Sequence, residues 1–352
     1  MMKIKTIQIG RFSIKQDAAP FVIAEAGVNH NGSLETAREL VRRAKECGAD
    51  CVKFQTFKAE RVASLDAPKA AYQLESTDPQ ESQIDMLRKL ELKEKDFAEL
   101  FQTCREEGIL FLSTPYNFED VDLLDGLGVA AFKVASGQLV ELPFLDYVAK
   151  KARPVILSTG MGTLGEVKRA VETIRGAGND RIILLQCTTN YPSAVEDANL
   201  KAMVAMRDAC RVLTGYSDHT CGSAAAVAAV ALGACVVEKH FTLNKTLPGP
   251  DQSSSADPEE FARFVLEVRN AGRALGSGEK VPSETEKRNM KGMRRGLAAK
   301  TPVPAGTKLS WENVTFKRPA SGFLGDQAGQ VIGKIAKQDI EKDTFITKDM
   351  IA

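Results

Sequence analysis

Short runs of β-branched and apolar residues, each closing on a polar cluster and followed by a helix-period segment, recur along most of the chain. Eight such runs stand out: Phe21–Ala24, Cys51–Phe54, Ile109–Leu112, Ala131–Val134, Val155–Leu157, Ile182–Gln186, Val212–Gly215 and Cys235–Glu238. Amphipathic segments follow them over Leu34–Cys47, Lys95–Glu107, Phe118–Leu127, Pro143–Lys151, Leu164–Arg175, Leu200–Ala209, Gly222–Leu232 and Pro258–Ala274. Thr163 with Glu166, and Asp257 with Pro258 and Glu260, carry the cap, proline and reciprocal acid of helix starts. Eight alternations over this length predict an α/β protein of the (β/α)8 TIM-barrel class, with an open doubly wound sheet as the other arrangement. The alternating segment up to Ile14 reads as a hairpin closing the barrel bottom, and Tyr72–Leu90 as an excursion over the catalytic face.

The pattern changes after Leu275. Gly276, Ser277 and Gly278 open a polar, basic stretch, dividing the chain into a barrel over residues 1–280, a linker over 281–295 and a small domain over 296–352. Within that small domain, Gly296–Val314 superposes without gaps on Gly333–Ile351, an offset of 37 residues. Such a duplication predicts an all-β unit made of two related halves.

Composition narrows the function. The chain has 352 residues, 43% of them apolar and 26% charged, which is enough to bury a large core. Lys plus Arg (47) balances Asp plus Glu (46), so no basic field marks a nucleic-acid or membrane surface, and anions must be bound locally. The longest apolar stretch, Ala224–Val237, is broken by Gly233 and too short to span a bilayer. Seven cysteines form no CxxC pair, which points to reduced thiols in the cytoplasm.

In a barrel of this class, chemistry gathers at the C-terminal ends of the strands. His219 and His240 close the last two strands and Glu25 closes the first, their neighbour in a shut barrel, so two imidazoles and a carboxylate converge. That set can hold a divalent cation with open positions for a substrate carbonyl. His30, in AGVNHNG, is read instead as holding its own turn-rich loop. Lys53 and Lys133 lie inside apolar strands, where an unpaired ammonium is costly. An anionic substrate, an internal ion pair with Glu25 or Glu238, or service as a Schiff-base nucleophile would each account for them. With Ser136, Ser158 and Ser217, and with the backbone amides of the Ser158–Gly162 turn, they suggest a phosphate or carboxylate site.

Nine motifs in order, IAEAGVNHNG (23–32), KFQTF (53–57), FLSTP (111–115), FKVASG (132–137), ILSTGM (156–161), QCTTNYP (186–192), GYSDHT (215–220), EKHFTL (238–243) and PGPD (248–251), resemble the sialic acid synthase family. The terminal repeat, with KRPASG at 317–322, resembles the antifreeze-like (SAF, β-clip) domain that ends those enzymes. The resemblance implies condensation of phosphoenolpyruvate with N-acetylmannosamine or a related N-acylated aminohexose, aided by a divalent metal, manganese or magnesium. It also implies roles. Lys53, Thr114, Lys133, Ser136, Ser158 and Ser217 would hold phosphoenolpyruvate, and His219 and His240 the metal. Gln55, Tyr191 and Asp251 would hold the sugar, Thr189 would stand in for a usual Asn, and Glu25 would be the acid/base group. A homodimer is expected, with Arg318 on the small domain reaching the amino sugar over the partner's barrel. Gln138 and Gln252 stand where the family often has Glu and His, which keeps a diacetylated sugar and a legionaminate-type product open.

Overall fold

In the computed structural model, which describes residues 5–16 and 18–352, the chain divides into two units, Met1–Gly276 and Ser277–Ala352. The first opens with an antiparallel hairpin, β1 (Ile7–Ile9) and β2 (Phe12–Ile14). Eight strands follow: β3 (Phe21–Gly27), β4 (Cys51–Thr56), β5 (Leu110–Pro115), β6 (Phe132–Val134), β7 (Val155–Ser158), β8 (Ile182–Cys187), β9 (Leu213–Asp218) and β10 (Val236–His240). They pair in parallel in the order β5-β4-β3-β10-β9-β8-β7-β6, and β5 and β6 pack side by side at the two ends of that order. The result is a nearly closed (β/α)8 barrel.

The expected helices form where their periodicity places them. Thr163 and Glu166, and Asp257 and Glu260, make reciprocal capping boxes at Leu164–Gly176 and Pro258–Ala274. Several strands run further toward their C-termini than their apolar residues alone indicate. Ser158, Ser217 and His240 belong to strands because, in a barrel, the inward positions at that end face a polar site and not an apolar core. The interior is therefore layered. Ile7, Ile9 and Ile14 of the hairpin join Ile23, Cys51, Leu112, Ile156, Ile183, Leu213 and Val236 in an apolar plug at the bottom. The next inward positions, two residues on, are Glu25, Lys53, Thr114, Ser158 and Glu238.

The excursion after β4 carries helices at Ala59–Val62, Ala71–Ser76 and Gln83–Lys89. Further on, the apolar stretch from Ala224 resolves into a helix, Ala224–Ala231, that buries one face (Ala225, Ala226, Ala229 and Val230) and leaves the other exposed before the chain enters β10. Among the described residues no helix is long and apolar enough to cross a membrane.

In the second unit, the segment read as a linker bears a capped helix, Glu284–Met293, followed by β11 (Gly296–Ala299) and β12 (Val314–Lys317). Ser283 at its N-cap bonds the Glu286 amide, a helix-start signal that the basic character of the stretch obscured. The duplicated halves pair with each other. Val303 and Ile340, at matched positions, each donate to the other's carbonyl at 2.8 Å. The Ala298–Phe345 bridge has its counterpart in Ile335–Lys308. Exchanging the halves maps one set of pairings onto the other, as a local two-fold between duplicated segments requires.

Candidate active site

Lys53 on β4 and Lys133 on β6 rise from inward positions on either side of β5, and the protein itself partners both. Lys53 Nζ lies 2.7 Å from Glu25 Oε2 and 3.6 Å from Glu238 Oε1, and donates to Thr114 Oγ1 at 3.2 Å. Lys133 Nζ donates to Ser158 Oγ at 2.7 Å and stands 3.7 Å from the same Glu238 oxygen, which also accepts from Ser217 Oγ at 3.3 Å. Glu238 thus sits between two buried ammonium groups. The two glutamates differ in consequence. Burial drives the Glu25 pKa up, Lys53 pulls it down, Glu238 pushes it up again, and it settles at about 7. Glu238 is also raised by burial, but Lys133 and Lys53 outweigh that and hold it below the usual carboxylate value. Burial lowers both lysines; flanked by Glu238 and Glu25, Lys53 ends above its ordinary value, whereas Lys133 stays below.

Above this layer stand the imidazoles. The rings of His219 and His240 are 5.3 Å apart between centroids, and the Tyr191 ring lies 4.2 Å from the first and 5.3 Å from the second. His219 Nδ1 contacts the Thr188 carbonyl at 2.6 Å. Because a carbonyl only accepts, that nitrogen carries a proton; burial lowers the His219 pKa, but Cys187 and the Thr188 carbonyl outweigh it and hold the ring above its ordinary value. His240 Nδ1 is buried without a hydrogen-bond partner, 3.7 Å from Asp251 Oδ2. Burial, together with His219 and the nearby lysines, holds His240 well below its ordinary pKa, so it is neutral, and burial lifts Asp251 to about 6. The described residues contain no group of three or more His, Cys, Asp or Glu side chains able to enclose a metal. The donor set fits a cation held by the two imidazoles and completed by oxygens from solvent or substrate.

Of the fourteen residues singled out from the sequence, thirteen line one cavity of about 310 Å³: Glu25, Lys53, Gln55, Thr114, Lys133, Ser136, Ser158, Thr189, Tyr191, Ser217, His219, His240 and Asp251. Arg318 is exposed on the second unit, where its Nε donates to the Met293 carbonyl. Gln55 donates to Glu25 Oε1 at 3.2 Å and accepts from the Tyr116 hydroxyl at 3.3 Å.

Three expectations change. Three of the turn amides expected to bind an anion are already engaged: Thr159 donates to the Leu185 carbonyl, Gly160 to Ser136 Oγ and Gly162 to the Thr159 carbonyl. Gln138 clamps backbone, donating to the carbonyls of Pro115 and Tyr116 and accepting from the Ala135 amide. Gln252, fully buried, pairs with Thr242 and donates to the Asn29 carbonyl. His30 behaves as read: its Nδ1 accepts from the Gly32 amide. Glu238 and Tyr116 were not among the selected site residues. Strand alternation from His240 reaches Glu238, whereas nothing in FLSTPYN points to the Tyr116–Gln55 bond.

Residues 40–280 match the NeuB family. The chain belongs to that family. Residues 294–352 match the SAF domain. N,N'-diacetyllegionaminic acid synthase of Campylobacter jejuni is 45% identical over 327 residues, spanning 92% of this chain and 98% of that protein. The enzyme of the same name from Legionella pneumophila is 42% identical over 330 residues, covering 93% of each chain. The crystal structure of an N-acetylneuraminic acid (sialic acid) synthetase from Leptospira borgpetersenii superposes with a TM-score of 0.73 at 30% identity, covering 82% of this chain and 97% of that one.

Proposed function

We propose that this chain is a transferase that condenses phosphoenolpyruvate with an N-acylated aminohexose, forming a nine-carbon 2-keto sugar acid and phosphate. Its sugar is the diacetamido hexose that leads to N,N'-diacetyllegionaminic acid, with N-acetylmannosamine as the second candidate; the names of the two bacterial relatives support this order. One observation carries the reading. Two lysines, buried to 3% exposure each, converge on one carboxylate beneath a pair of imidazoles, an arrangement built to take up a small polyanion next to a carbonyl.

Lys53 and Lys133, with Ser158, Ser217 and Thr114, hold the phosphate and carboxylate of phosphoenolpyruvate in place of their present partners. Gln55, Tyr191 and Asp251 orient the open-chain sugar. His219 and His240 would hold a manganese or magnesium ion, whose Lewis acidity supplies polarisation of the aldehyde oxygen. The methylene carbon of phosphoenolpyruvate then bonds to the aldehyde carbon, and the positive charge left at its C2 is met by the bound phosphate and Glu25. Water adds at C2 and gives one proton to Glu25; the bond from C2 to the phosphate oxygen breaks, and phosphate leaves with the other. The proton on Glu25 goes to the new hydroxyl of the sugar carbon. A carboxyl poised at about 7 can both accept and return it. Lys53, held protonated by its glutamates, binds charge and does not attack a carbonyl.

Phosphate release from phosphoenolpyruvate with manganese and a panel of acylated aminohexoses tests the reading. Release that requires sugar and metal supports it; borohydride trapping of pyruvate on Lys133, with turnover surviving chelation, would replace it with a Schiff-base aldolase. We also place the enzyme in the cytoplasm, where its seven unpaired cysteines stay reduced. As a homodimer, it would use the partner's Arg318 at each sugar site. Mixing Arg318→Ala with Glu25→Gln should then restore part of the activity that each variant lacks alone.

A further inference from the structure

The excursion between β4 and β5 separates its charges from the cavity. Its helix Gln83–Lys89 presents Gln83, Met86, Leu87 and the following Leu90 to the cavity at spacing i, i+3, i+4 and i+7, one face of a helix. The charged residues on its other face pair outward: Arg88 with Glu60 at 2.7 Å and Asp85 at 2.8 Å, and Lys89 with Glu81. Lys58 likewise pairs with Glu91 at 3.0 Å. Val62 from the excursion and Val28 beyond β3 extend the same lining, and Val28, Phe57, Met86 and Leu90 form one apolar cluster. Every excursion residue that lines the cavity is uncharged. The floor of the cavity, by contrast, carries four buried charged groups, Glu25, Lys53, Lys133 and Glu238.

Among the excursion's lining residues only Gln73 and Gln83 are polar, so most hydroxyls of a hydroxyl-rich sugar end would lose water here without replacement. An acylamido end suits it. The acyl methyl removes apolar surface from water against Met86, Leu87 and Leu90, and the amide finds both a donor and an acceptor in Gln83. Gln138 does not compensate from the opposite side, because both ends of its amide already bond backbone.

Resting on the condensation proposed above, we infer that this wall is the specificity element for the sugar's far end, and that it selects a second acylamido group and a deoxygenated terminus over free hydroxyls. The test compares kcat/KM for phosphate release with 2,4-diacetamido-2,4,6-trideoxymannose and with N-acetylmannosamine, in the wild type, Met86→Gln, Leu87→Gln and Met86→Leu. Leu87 is only partly buried, so its variant keeps the test open if the Met86 variant fails to fold. The wild type should prefer the diacetamido sugar by at least about tenfold. The glutamine variants should lower that preference by about tenfold, mostly through KM for the diacetamido sugar, and Met86→Leu should retain it. An unchanged ratio in both glutamine variants, or an equal loss for the two sugars, overturns the wall while leaving the condensation standing. Absence of phosphate release with either sugar overturns the condensation itself, and the wall with it.

Discussion

Glu238→Gln separates two properties of the lysine cluster, its own cohesion and its readiness for an anion. The carboxylate lies 3.6 Å from Lys53 Nζ and 3.7 Å from Lys133 Nζ. At an effective dielectric near 20, each contact amounts to about 4.5 kcal/mol before desolvation is counted. The amide keeps the shape and removes both attractions. Lys53 retains Glu25 at 2.7 Å, so Lys133 is the group left buried with only neutral partners. Removing one partner of a buried pair costs roughly 3–5 kcal/mol, and with one lysine still paired a loss of about 3 kcal/mol is expected in urea unfolding of the free protein. Phosphoenolpyruvate changes the balance, because its phosphate and carboxylate give Lys133 a partner and no longer face the Glu238 charge. The variant should therefore bind phosphoenolpyruvate about tenfold more tightly than the wild type, which is about 1.4 kcal/mol. At matched saturating phosphoenolpyruvate, the stability gap should close by that amount, about half of the loss. Calorimetric titration without sugar, paired with unfolding curves with and without ligand, measures both quantities. An identical loss in both conditions, or weaker binding by the variant, would refute the assignment of the two lysines to phosphoenolpyruvate.

Three further outcomes follow from the same geometry. Glu25→Gln should retain phosphoenolpyruvate binding and lose turnover by about a hundredfold or more; in the wild type, kcat should fall below pH of about 7 as the carboxyl takes up a proton, and the variant's residual rate should lack that limb. The folded-state pKa of Glu25 is raised, so its contribution to stability is present below its unfolded value of 4.5 and is lost as pH rises through about 7, a dependence that unfolding curves of wild type and variant separate. His240→Ala should lower manganese affinity at least about tenfold by electron paramagnetic resonance of free Mn²⁺, together with turnover; unchanged affinity would remove the two-imidazole site. Gly215→Ala would bring a Cβ to 2.2 Å from the Val236 carbonyl oxygen and 2.8 Å from Leu185 Cδ2, forcing β9 from β10, so a loss of about 3 kcal/mol is expected in thermal or chemical unfolding.

The barrel was legible because each strand ends in a change of pattern, from a continuous apolar run buried on both faces to a 3.6-residue period, that a single chain displays without help from its neighbours. The site was legible for a related reason: reactive residues at strand ends stand where a barrel gathers them, and thirteen of those selected share one cavity. What stayed hidden depends on where side chains point once the barrel has closed. Gln138 reads as a substrate contact by its place after Ser136 and Gly137, yet the turn that carries it brings its amide onto the Pro115 and Tyr116 carbonyls. The Ser158–Gly162 turn reads as an anion nest, but Leu185 and Ser136 on other elements reach its amides first. The lysines show the limit most clearly. Their need for a negative partner follows from burial alone, and both candidates, Glu25 and Glu238, could be named from the sequence. Only the barrel's register shows that the two candidates act together. Alternation along β10 turns Glu238 and His240 inward and Lys239 outward, where Lys239 pairs with Asp218 at 2.9 Å over the Phe264 ring. One carboxylate then serves two lysines while a second, Glu25, pairs with Lys53 alone and titrates at about 7. Under the proposed function, ion pairing and substrate binding would be successive states of the same groups, with a polyanion taking the place of the glutamates.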